Sequence, residues 1–68
     1  LNNIPVAIYN QDGSFLSREL VSHISGSPHF ELIKNIQQDN EIAPLITTKE
    51  ALMVIYIKSD FSTEQVTD

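Results

Sequence analysis

Residues 4–9 read Ile-Pro-Val-Ala-Ile-Tyr, an apolar run without alternation, and a polar turn, Asn10-Gln11-Asp12-Gly13-Ser14, follows at once. A strand with one wet face alternates apolar and polar residues. A strand without that alternation is covered on both faces, as strands of parallel sheets are. Parallel neighbours must be joined by a crossover, usually a helix. This run therefore constrains the chain to an α/β arrangement. In such folds ligands bind beyond the carboxyl ends of the strands, so the turn at 10–14 is the first place to look for function.

The crossover follows directly. Over residues 14–25, Leu16, Leu20, Val21 and Ile24 recur with helical spacing, while Arg18, Glu19, Ser22 and His23 fall on the opposite face. Asp12 or Ser14 can cap the helix start. Gly26 and Pro28 form its stop signal. Residues 30–36 read as a second strand, with Phe30, Leu32, Lys34 and Ile36 on one face and Glu31 and Asn35 on the other. Charge on both faces marks a sheet edge. Residues 41–48 read as a short helix capped by Asn40, with Ile42, Leu45 and Ile46 inward and Pro44 tolerated only in the first turn. Residues 51–57, Ala-Leu-Met-Val-Ile-Tyr-Ile, are a third, wholly apolar strand. Phe61, Ser62 and Glu64 suggest the start of another helix. The expected fold is β-α-β-α-β: a mostly parallel three-stranded sheet in the order 2-1-3, with right-handed crossovers and a helix on each face.

Sixty-eight residues suffice for one small domain. The chain begins with Leu1 and stops inside a helix-like pattern, so it reads as an excerpt of a larger domain. It has no cysteine, which excludes disulfides and thiolate metal sites. Nine acidic residues against four basic ones give a net charge of −5, and the basic residues are scattered. That balance disfavours nucleic acid and anionic lipid as partners. The longest apolar run, at 51–57, is seven residues, whereas a membrane-spanning helix needs roughly 20.

Four constellations could carry chemistry. Asn10-x-Asp12-Gly13-Ser14 after a buried strand is similar to the loop of haloacid dehalogenase-type phosphatases. There an Asp would stand at position 10 as nucleophile, with Asp12 as general acid. An amide cannot form an aspartyl-phosphate, and a capping turn is the simpler reading. The same helix start could bind phosphate, but one glycine, no nearby lysine and Asp12 itself oppose this. His23 and His29 have no third ligand at metal-binding spacing. Ser17-Arg18-Glu19 would not face one another on a helix. No catalytic, cofactor or metal residue is assigned.

The ordered set PVAIYNQD at 5–12, Ser14-x-x-Ser17-Arg18-Glu19-Leu20-Val21, Ser27-Pro28-His29-Phe30, VIYI at 54–57 and Asp60-Phe61-Ser62 resembles the extracytoplasmic domain of type-2 ATP-binding-cassette (ABC) exporter permeases. The resemblance covers nearly the whole chain. The sequence departs from the family pattern at Lys58-Ser59, where members carry proline before the Asp-Phe pair, and at Pro44. The resemblance implies a non-catalytic periplasmic domain of an inner-membrane exporter. Its partners would be a separate ABC ATPase, which would hydrolyse the ATP, and a second permease copy. A soluble phosphatase-like or small-ligand α/β domain, with a degenerate Asn10-x-Asp12 loop, is the alternative. The third strand would lie at a sheet edge without charge, bulge or proline. It is therefore expected to support self-association or partner contact through Met53, Ile55 and Tyr56.

Overall fold

The computed structural model describes residues 3–63. It contains β1 (Ile4–Asn10), α1 (Phe15–Ser25), β2 (Phe30–Asn35), a 3-10 turn (Asp39–Glu41), α2 (Ile42–Thr47), β3 (Met53–Ile57) and a second 3-10 turn (Phe61–Thr63). The three strands are parallel and stand in the order β2-β1-β3. The non-alternating run at 4–9 thus becomes the central strand. Val6, Ala7 and Ile8 are fully buried and Tyr9 nearly so. Of the helix start expected at Phe61, Ser62 and Glu64, residues 61–63 form the second 3-10 turn, and Glu64 lies outside the described residues.

The register of β1 against β3 sorts the sheet into two faces. Val6, Ile8 and Asn10 stand beside Met53, Ile55 and Ile57 on one face; Ala7 and Tyr9 stand beside Val54 and Tyr56 on the other. The second face carries the main apolar cluster, Ala7, Tyr9, Ile36, Leu45 and Ala51, with Ile33, Ile42 and Val54 packed against it. Leu45 brings α2 into this cluster, and α1 lies over the opposite face.

The expected alternation in the second strand fails at one point. Val6 pairs with Leu32, but Ala7 pairs with Lys34, so Ile33 is an extra residue opposite β1. Such a bulge resets the alternation. Leu32 stays beside Val6 on the α1 side, whereas Ile33 and Ile36 join the cluster under α2. The bulge and the charges of Glu31 and Lys34 both protect this edge from adventitious pairing.

The first helix is also turned relative to its expected phase. Leu16 was expected inward but is 42% exposed, while Ser17 is fully buried. Leu20, Val21 and Ile24 are half-buried. The buried stripe is therefore Ser17, Leu20, Val21 and Ile24, about 100° of helix rotation away from Leu16. Hydrogen bonds from Ser17 fix this rotation, as described below. At the helix start Ser14 is the N-cap, and its side chain accepts from Ser17 N–H. Gly26 ends the helix in a right-handed conformation, and a Cβ there would lie 3.3 Å from the Ser22 carbonyl.

In α2, Pro44 falls within the first turn, where its missing N–H leaves no helical bond unmade. The expected cap, Asn40, lies within the 3-10 turn, and Glu41 leads into the helix. The Glu41 carboxylate accepts from the N–H groups of Gln37 and Gln38 at 3.3 and 3.1 Å. Ile46, expected inward, is 44% exposed, because a helix this short buries only one side through Ile42 and Leu45. The third strand begins at Met53, two residues later than the apolar run. Leu52 is 62% exposed and Ala51 turns inward to the cluster.

Candidate functional site

The corner between β1 and α1 is organised by Asn10. Its Oδ1 accepts from Asp12 N–H at 2.9 Å and from Gly13 N–H at 3.1 Å. Its Nδ2 donates to Ser17 Oγ at 3.0 Å. Ser17 Oγ in turn donates to the Ser14 carbonyl at 2.9 Å. This local side-chain competition for backbone donors is what makes Asn and Ser turn-formers. Gly13 takes φ +68°, the left-handed region that glycine enters without steric cost. Ser17 can be fully buried because both its donor and its acceptor capacity are satisfied.

This geometry limits the chemistry of the corner. Both ends of the Asn10 amide are engaged, and the residue stands where the phosphatase-like reading requires a nucleophilic carboxylate. Asp12 accepts from Ser14 Oγ through one oxygen and from Ser62 Oγ at 3.5 Å through the other. Four N–H groups around the turn are bonded within the corner. Asp12 and Gly13 donate to Asn10, Ser17 donates to Ser14 Oγ, and Arg18 donates to the Ser14 carbonyl. The Ser17-Arg18-Glu19 trio is not a constellation. Ser17 points into the corner, Arg18 Nη1 donates to the Gly13 carbonyl at 2.5 Å, and Glu19 is exposed.

A second polar group closes the carboxyl ends of β1 and β3. Gln11 N–H donates to the Ile57 carbonyl at 2.9 Å. Tyr9 and Tyr56, side by side on adjacent strands, stack with ring centroids 5.3 Å apart. Tyr9 OH donates to Asp39 Oδ1 at 2.7 Å, and Tyr56 OH donates to Gln11 Oε1 at 2.6 Å. The Asp39 carboxylate favours the neutral phenol and holds the Tyr9 pKa above its ordinary value; burial acts in the same direction. Sequence reading missed this pair, although equal offsets of two tyrosines in two parallel apolar runs would have signalled it.

The residues expected to contact a partner divide between faces. Met53 and Ile55 lie on the α1 side, 37% exposed and half-buried respectively, while Tyr56, 55% exposed, lies on the α2 side. His23 and His29 are exposed, and among the described residues no group of three His, Cys, Asp or Glu is placed to hold a metal. An open groove of about 380 Å³ runs between β2 and α2, floored by Ile33 and Leu45 and rimmed by Lys34 and Glu41. Lys34 Nζ lies 3.5 Å from Glu41 Oε1, which is buried and accepts no hydrogen bond among the described residues. The groove was not foreseen; Ile33, the bulge residue, lines it. No described helix is long and apolar enough to cross a membrane. Comparison with known protein families, curated proteins and solved structures returns no match to this chain.

Proposed function

We propose that the chain is a non-catalytic extracytoplasmic domain of a type-2 ABC exporter permease, set on the periplasmic side of the inner membrane. Its role there is to shape the outer mouth of the transporter or to contact an export partner. An ABC ATPase and a second permease copy are the partners in the parent complex. Two lines support this reading. The ordered motifs from Pro5 to Ser62 resemble that family, and they fall on a parallel 2-1-3 sheet of the expected connectivity. The observation that carries the non-catalytic half is the engagement of Asn10 and Asp12 in the corner itself.

Topology tests the proposal. The 68 residues contain no cysteine, so Ser22→Cys on the exposed face of α1 supplies a unique label site. In a parent protein free of other cysteines, a membrane-impermeant maleimide applied to spheroplasts should label it. Labelling only after lysis would overturn the placement. The phosphatase-like reading rests on one observation, an Asp12 carboxylate just beyond the central parallel strand. Phosphomonoester turnover with Mg²⁺ that disappears in Asp12→Ala would establish it in place of the permease reading.

A further inference from the structure

In the groove between β2 and α2 an apolar surface meets converging charges. Ile33, Pro44 and Leu45 supply the apolar surface, and Lys34, Glu41 and Glu50 supply the charge. The bulge leaves Ile33 without a partner on β1 between Leu32 and Lys34, and both Ile33 and Lys34 line the groove. Its volume of about 380 Å³ falls at the small end of sites for small molecules. The α2 wall is six residues long, about 9 Å at the helical rise. That length suits a small molecule better than a segment of polypeptide.

The charges around the groove are unevenly satisfied. One oxygen of Glu41, Oε2, accepts from the N–H groups of Gln37 and Gln38. The other, Oε1, is buried and accepts no hydrogen bond among the described residues; Lys34 Nζ stands 3.5 Å away. A buried acceptor without a hydrogen bond is costly to leave unmade. The Lys34 side chain is 48% exposed, so it can turn into solvent with little loss of packing. Glu50 is exposed and forms no ion pair among the described residues. Carboxylates therefore exceed ammonium groups by one around the groove, on a protein whose net charge is −5.

We propose that this groove binds a small amphiphilic amine, a primary ammonium on an apolar body of roughly ten carbon atoms. The body lies on Ile33, Pro44 and Leu45. The ammonium takes the place of Lys34 Nζ and donates to Glu41 Oε1, while Lys34 turns outward. Charge complementarity decides the occupant. An anion would meet two carboxylates, and a neutral apolar molecule would leave Glu41 Oε1 without a donor. The groove is open and the ligand small, so Kd is on the order of 1 mM. This site stands whether or not the chain belongs to an exporter.

An NMR titration of the 68-residue chain, read at its backbone amides, tests the proposal, with circular dichroism verifying that each variant is folded. The probes are phenylbutylamine, phenylbutanol and phenylbutyrate, at about physiological ionic strength so that long-range attraction is screened. The amine should saturate the chain and shift the amides of Ile33, Lys34, Glu41 and Leu45. The alcohol should bind at least about 5-fold more weakly, and the carboxylate should not bind. Glu41→Gln keeps an oxygen for the N–H groups of residues 37 and 38, and should weaken the amine about 5-fold. Lys34→Met removes the competing ammonium, and should tighten the amine about 3-fold while leaving the alcohol unchanged. Glu19→Gln, on the exposed face of α1, removes the same charge from a distant place and should change nothing. Absence of saturation, equal binding of amine and alcohol, binding of the carboxylate, or shifts centred outside the groove would overturn the proposal. So would a Lys34→Met chain that binds the amine more weakly, or a Glu19→Gln chain that loses as much as Glu41→Gln.

Discussion

Asn10 holds the central strand, the turn and the first helix in one arrangement through three hydrogen bonds of a single amide. Asn10→Ala removes the acceptor for two turn N–H groups and a donor to buried Ser17. The expected loss is about 1–3 kcal/mol, measured by urea unfolding. A loss near zero would mean that water replaces the amide without penalty. Tyr9 gives a pH signature. Its pKa is raised in the folded state, so the stability it contributes is fully present below the unfolded value near 10.0 and is lost as pH climbs through the higher folded value. Tyr9→Phe should therefore flatten the alkaline limb of the stability profile above the unfolded value near 10.0. An unchanged limb would place the alkaline loss elsewhere.

At the scale of elements, Ile8→Ala in the centre of β1 should cost roughly 2–5 kcal/mol, because the site is fully buried and flanked on both sides. Leu16→Ala should cost less than about 1 kcal/mol, as expected for an exposed helix position. Equal losses would restore the helical phase read from apolar spacing alone. That contrast shows what the sequence made legible. The strands, their order and the capping of α1 followed from runs, charges and turn residues. The rotation of α1 did not, because a buried serine breaks the apolar periodicity and its justification is a hydrogen bond to Asn10 seven residues earlier. The bulge at Ile33 was equally hidden: an inserted residue leaves no mark on composition, yet it decides which isoleucine reaches the core. The turn at Asp12-Gly13-Ser14 was legible as a turn and a cap, but the full engagement of Asn10 was not.

Across the whole molecule both sides of the sheet bury the central strand, Val6 and Ile8 toward α1 and Ala7 and Tyr9 toward α2, and both leave large apolar side chains at the surface, Leu16 and Met53 on the first and Ile46 and Tyr56 on the second. Hydrogen exchange in dilute solution should reflect the layout. Amides of Val6 to Tyr9, central and buried, should exchange slowest, near the global unfolding limit. The outward amides of Val54 and Tyr56 should exchange orders of magnitude faster. Uniform protection along β3 in dilute solution would mean that its outer edge is already covered within one chain.

The order β2-β1-β3 also sets a timetable. Ile4 pairs with Phe30, and Val6 pairs with Met53, so the first strand made is the one whose partners arrive last. Closing such distant pairings slows folding. As the chain emerges from its amino end, β1 has no sheet neighbour until Phe30 and no second neighbour until Met53. Its apolar residues must wait through most of the synthesis or passage of the chain. A nascent domain of this design is therefore exposed at its most insoluble segment for longest, and a truncation before Met53 should hold it there indefinitely.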